Sequence, residues 1–203
     1  MFYQASRPLN PATDIVFLMD ASSGMSRDDF PWQKEFIKLL AKHFNVNAKG
    51  PRAIVVSYSN TARSITTSMD SDFNTKIDST EFAGLPRRMD SAINYAASLL
   101  SQTRRKGVKI VLLLTGGPQA RGATPLAKAI KPLRDLGALV YLMAIGSNDA
   151  AELGAVPTRR EDFFRVLEAS DLPRLARPIA GHIYTSYSEK KPIHIFVIIL
   201  NNE

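Results

Sequence analysis

Four apolar runs stand out along the chain: Asp14–Asp20, Ala53–Tyr58, Val108–Thr115 and Leu139–Gly146. None alternates apolar with polar residues. Each therefore predicts a strand buried on both faces, as in a parallel sheet covered by helices on either side. Between the runs the period changes. Phe30, Phe36, Ile37, Leu39, Leu40 and Phe44 recur at helical spacing, as do Met89, Ile93, Ala96, Ala97 and Leu100. Leu126 to Leu136 is amphipathic, with Gly137 where a helix-ending glycine belongs. Ser71 to Thr80 predicts a weak helix and Asp171 to His182 a last one. The polar, β-branched stretch Ala62 to Ser68 predicts a partly exposed, antiparallel edge strand, and Phe163–Val166 a short further strand. Strands alternating with helices predict an α/β fold, a doubly wound, mostly parallel sheet flanked by helices on both faces.

The pattern divides the chain into a lead-in over residues 1–13, a domain over 14–182, and residues 183–203, a C-terminal extension or the start of a following module. In that last part Ser186 to Lys191 is polar and Ile193 to Leu200 is a dense β-type run. Left exposed, such a run is an aggregation hazard.

At 203 residues and 45% hydrophobic, the chain has material for one well-cored domain. It contains no cysteine, which excludes thiol catalysis, disulfides and Cys-ligated zinc. His43, His182 and His194 share no metal-ligand spacing. Neither a phosphate-cradling glycine motif nor a Gly-x-Ser-x-Gly elbow is present, and Ser22 and Ser23 have no matched His and acid, so we expect no enzyme. The net charge of +7 permits acidic partners. The clusters Arg87-Arg88, Arg104-Arg105-Lys106, Arg159-Arg160 and Lys190-Lys191 read as solvated surface or as a glycosaminoglycan site. No aromatic residues are interleaved with them, which argues against nucleic acid. No apolar run reaches the ~18 residues of a membrane span. The start lacks a basic segment followed by an apolar one, which predicts either an intracellular protein or a mature fragment.

In open parallel sheets function sits in the loops at the carboxyl ends of the strands. The first such loop reads Asp20-Ala21-Ser22-Ser23-Gly24-Met25-Ser26. With the strand Asp14–Asp20, the strand ends Ile110–Gly117 and Leu142–Gly146, and the segments Phe163–Val166 and Asp171–Leu175, it resembles the von Willebrand factor type A (vWA) domain, particularly its collagen VI and matrix-protein branch. The resemblance runs from about Asp14 to His182. It implies a metal-ion-dependent adhesion site, in which an Asp-x-Ser-x-Ser loop, a Thr and a second Asp hold a divalent cation that takes a carboxylate from the partner.

This sequence keeps only part of that set. Asp20 and Ser22 match the first two metal ligands, but the third position is Gly24. Where the Thr belongs the chain reads Gly84-Leu85-Pro86-Arg87-Arg88-Met89, and where the second Asp belongs it reads Gly116-Gly117. An arginine ~5 Å from a divalent ion repels it by about 6 kcal/mol at an effective dielectric near 20. We therefore expect no cofactor, with Mg²⁺ or Mn²⁺ admitted only if Ser23, Ser26 or Asp90 replaces a missing ligand. Arg87 and Arg88 have two readings: one of them pairs with Asp20 in the cation's stead, or both point into solvent.

The resemblance implies a non-enzymatic, extracellular, secreted binding module. Its partner would be a matrix protein such as collagen. The expected partner face comprises residues 20–27, 84–90 and 116–122, with Asp20, Ser22, Ser23, Ser26, Arg87, Arg88 and Arg121 as its polar groups. Two other readings stay open: a structural spacer or self-assembly unit of a matrix protein, and an intracellular vWA scaffold binding RNA or protein complexes.

Overall fold

A computed structural model describes residues 9–146 and 151–188. The strands are β1 (Asp14–Asp20), β2 (Arg52–Tyr58), β3 (Ala62–Thr67), β4 (Lys109–Thr115), β5 (Leu139–Ile145) and β6 (Phe163–Val166). They form one sheet in the order β3-β2-β1-β4-β5-β6. All neighbours pair in parallel except β2 and β3, which are antiparallel. The helices are α1 (Phe30–His43), α2 (Phe73–Asp78), α3 (Met89–Ser101), α4 (Leu126–Ala129), α5 (Lys131–Asp135) and α6 (Leu172–Ser188). The expected doubly wound α/β sheet, with its antiparallel edge strand, is the fold observed.

Successive strand residues point to opposite faces, which is why the central strands must be apolar throughout. Ile15, Phe17 and Met19 of β1 pack with Phe36, Ile37 and Leu40 of α1 and Ala176, Ile179 and Ile183 of α6. Val16 and Leu18 pack on the other face with Ile93, Ala96 and Leu100 of α3 and with Ile130 and Leu133. Burying a side chain of this kind contributes roughly 1.5–3 kcal/mol, so the two layers supply most of the driving force for folding.

Three boundaries differ from expectation. The single helix expected over Leu126–Leu136 is two short helices, because Pro132 has no N–H to donate back to Lys128 and its ring crowds that carbonyl. Its end is as expected. Gly137 takes φ +65, Gly137 N–H bonds Arg134 O at 2.9 Å and Ala138 N–H bonds Leu133 O at 3.0 Å. The weak helix of Ser71–Thr80 shrinks to α2. The last helix runs past His182 to Ser188, carried by the buried Ile183, by Tyr184 Oη donating to His43 O and by Ser186 Oγ bonded to Tyr141 Oη. The expected run Ile193–Leu200 lies outside the described residues. Among the described residues no helix is long and apolar enough to cross a membrane.

Candidate functional site

Asp20 ends β1, the central strand, flanked by β2 and β4. Its backbone is held by Gln33 of α1. Gln33 Nε2 donates to Asp20 O at 2.9 Å, and Asp20 N–H donates to Gln33 Oε1 at 3.0 Å. Gln33 is fully buried on the apolar face of α1, between Phe30 and Phe36. A polar residue in a helix's buried stripe is the sequence signal that marks it.

The Asp20 carboxylate is fully buried and fully engaged. Its Oδ1 accepts from Ser22 N–H at 2.9 Å. Its Oδ2 accepts from Arg87 Nε at 2.7 Å and from Gly116 N–H at 2.9 Å. Arg87 is itself buried, and its Nη1 donates to Pro118 O at 2.8 Å. The three loops at the carboxyl ends of the sheet thus meet on one guanidinium. Further backbone bonds lock them together: Ser23 N–H to Leu85 O, Arg88 N–H to Ser59 O and Ala120 N–H to Arg87 O, each 2.8 Å.

Of the two readings of the arginines, the geometry selects pairing, and by Arg87. Arg88 turns away to a bidentate bond with Asp90 (Nε–Oδ1 2.9 Å, Nη2–Oδ2 2.8 Å). The Arg88 guanidinium holds the Asp90 carboxyl down at about 2, against burial and with help from the Thr124 and Ser91 amides. Asp90 is thereby committed to Arg88 and Thr124 N–H (2.8 Å) rather than to the place of a missing ligand. Ser23, Ser26 and Arg121 are exposed, and Ser26 Oγ accepts from Asp29 N–H at 2.9 Å just before α1. Ser22 is buried, and its Oγ has no hydrogen-bond partner, as is true of Arg87 Nη2.

The glycines explain what became of the other ligand positions. A β-carbon on Gly24 would stand 2.2 Å from Arg87 Nη2. One on Gly116 would stand 2.7 Å from Gly24 O and 3.0 Å from Arg87 Nη2. Contacts under 3.0 Å are not tolerated in close-packed interiors. The departure at 24 goes with the arginine, because the guanidinium occupies the space a side chain there would need; at 116 the nearest obstacle is the Gly24 carbonyl, with the guanidinium beside it. The donor set does not fit a divalent cation. It offers one carboxylate, with both oxygens already accepting N–H bonds, beside a fixed positive charge. Among the described residues no group of three or more His, Cys, Asp or Glu could hold a metal.

Comparisons with known proteins identify the family. The von Willebrand factor type A domain family matches over residues 14–177. The chain is 27% identical over 149 residues to the collagen alpha-1(VI) chain of Gallus gallus, covering 68% of this chain and 14% of that one. It is 26% identical over 185 residues to the collagen alpha-6(VI) chain of Mus musculus, covering 87% and 8%. It is 25% identical over 202 residues to von Willebrand factor A domain-containing protein 1 of Mus musculus, covering 94% and 47%. The chain thus spans less than half the length of these relatives. Among solved structures, proximal thread matrix protein 1 from the mussel byssus superposes with a TM-score of 0.75 at 20% identity, over 85% of this chain and 48% of that one. A further structure of that mussel protein has a zinc-occupied adhesion-site motif and superposes with a TM-score of 0.74 at 20% identity, over the same shares. This chain belongs to the von Willebrand factor type A domain family, with relatives in collagen VI and other matrix proteins.

Proposed function

We propose that this domain is a non-enzymatic, protein-binding module of a secreted matrix protein, and that it engages its partner without a bound cation. The partner face is the rim of loops 20–27, 84–90 and 116–122, with collagen as the matrix partner. The observation that carries this reading is the buried Asp20–Arg87 pair. It fills with a permanent cation the place where the family holds a metal, so the loops keep one arrangement whatever the divalent-ion concentration. Exposed Ser23, Ser26 and Arg121, with the 46%-exposed Leu85, supply the contact surface around that fixed centre. The matrix relatives support an extracellular setting.

Binding of the full chain to immobilised collagen tests this, in EDTA and in millimolar Mg²⁺ or Mn²⁺. Equal binding under all conditions, lost in Ser23→Glu/Arg121→Glu, is the expected result. Binding that requires the cation, that survives the double substitution, or that is absent altogether overturns the reading.

A further inference from the structure

Seven of the chain's 26 basic residues lie in two segments at the end of the sheet opposite the loops described above. The segments 42–52 and 102–109 contain Lys42, Lys49, Arg52, Arg104, Arg105, Lys106 and Lys109 and no acidic residue. Their formal charge equals the +7 of the whole chain, so the remainder balances to zero. The fold brings these segments together. Residues 44–51 connect α1 to β2, residues 102–108 connect α3 to β4, and both lie at the amino ends of the parallel strands. In register, Arg52 and Lys109 flank Asp14 on either side. The first residues of β2 and β4 are thus about 10 Å apart across β1.

Asp14 is the acid that Arg52 and Arg105 contact, and it is 3% exposed. It is spent on holding the patch in shape. Arg52 Nε bonds its Oδ1 at 3.0 Å, Thr103 Oγ1 bonds its Oδ2 at 2.6 Å, and Arg105 Nη1 lies 3.4 Å from Oδ1. Arg105 Nη2 also donates to Gly50 O at 3.1 Å and to Pro11 O, tying the two loops to the segment before β1. Lys42, Lys49, Arg104 and Lys106 are exposed around this anchor. Among the described residues they have no ion-pair partner. Like charges held together without compensation cost stability, and a polyanion relieves that cost.

We propose that this end is a second binding surface, for a sulfated polysaccharide. The surface offers point charges and guanidinium forks suited to sulfate oxygens. It offers nothing to stack on a base, since the single aromatic residue in the two segments, Phe44, is buried. The proposal does not depend on the partner-face reading, because the two surfaces lie at opposite ends of the sheet and either can fail alone. A domain that holds a matrix protein at one end and a polysaccharide at the other would cross-link the two.

Retention of the full chain on heparin in a salt gradient is the test, with heparin titrations for affinity. Lys49→Ser/Arg104→Ser/Lys106→Ser changes exposed residues outside the Asp14 network, and its thermal midpoint should match the wild type. We expect it to lower heparin affinity about tenfold or more, with a shallower salt dependence. Arg63→Ser/Lys128→Ser, two exposed cations outside the patch, should leave heparin binding unchanged. Three outcomes overturn the proposal: the triple variant binds like the wild type, the control pair weakens binding equally, or single-stranded RNA competes as well as heparin at equal charge.

Discussion

A β-carbon on Gly24 would lie 2.2 Å from Nη2 of Arg87, so the two residues are alternatives for the same space. Gly24→Ser, which restores a hydroxyl at the third ligand position, should therefore destabilise the protein. Overpacking a filled site costs about 1–3 kcal/mol. In an Arg87→Thr background the same change should be far better tolerated. A double-mutant cycle by denaturant unfolding, with a favourable coupling of about 1 kcal/mol or more, checks this, and additive effects would sink the steric argument.

Among the described residues Arg87 is the only side-chain cation on Oδ2 of the fully buried Asp20 carboxylate, and Arg87→Ala removes it. Breaking one side of a buried pair costs about 3–5 kcal/mol, because the remaining charge stays desolvated. Arg87→Lys should rescue only part of that loss. A lysine has no planar fork with which to reach Asp20 and Pro118 O together. A loss under about 1 kcal/mol for the alanine variant would mean the pair is in effect solvated.

The ion preference of the site should be convertible. Gly24→Ser/Gly116→Asp/Arg87→Thr removes the guanidinium and supplies the missing ligand types. With Mg²⁺ at a hundred times its Kd, the triple variant should gain about 2.7 kcal/mol. That is a rise in thermal midpoint of roughly 5–10 °C for a domain of this size. The wild type should show no shift between EDTA and millimolar Mg²⁺, Mn²⁺ or Ca²⁺. A cation-dependent rise in the wild type contradicts the metal-free reading directly.

Stability should fall in acid through Asp90. Its carboxyl is lowered from 3.8 to about 2 in the folded protein by the Arg88 guanidinium. The folded state therefore binds the proton less readily than the unfolded one. The stabilisation is fully present above about pH 4 and drains away as pH falls toward 2, amounting to about 1–2 kcal/mol. Asp162, lowered by His182 and Arg159 despite burial, adds to the same slope. Urea unfolding at pH 5 and pH 2.5 measures it. Arg88→Ala should flatten the dependence, and an unchanged slope would show that Asp90 is not its source.

Gln33→Leu should cost about 2 kcal/mol or more, although it places an apolar side chain in an apolar stripe. It leaves the N–H and C=O of Asp20, buried at the end of β1, without partners. Thermal or denaturant unfolding reads the loss directly, and a neutral or stabilised Gln33→Leu would contradict this role.

The sequence by itself determined the sheet. The runs Asp14–Asp20, Val108–Thr115 and Leu139–Gly146 are continuously apolar because a central parallel strand is covered on both faces, so burial writes itself into the local pattern. It also showed that Gly24, the stretch 84–89 without a Thr, and the pair Gly116-Gly117 depart from the adhesion-site pattern, since each departure is a change of residue type. What it left open was which arginine faces Asp20. Arg87 and Arg88 are neighbours of one chemistry, and only the turn into α3 sends the first to Asp20 and the second to Asp90. Nor did it show that a side chain at 24 would meet Arg87, more than sixty positions away, or that one at 116 would meet the Gly24 carbonyl. The length of α6 was likewise misjudged, because Ile183, Tyr184 and Ser186 gain their partners from β5 and from the end of α1. Periodicity reports whether a residue is buried. Only the tertiary structure decides against what.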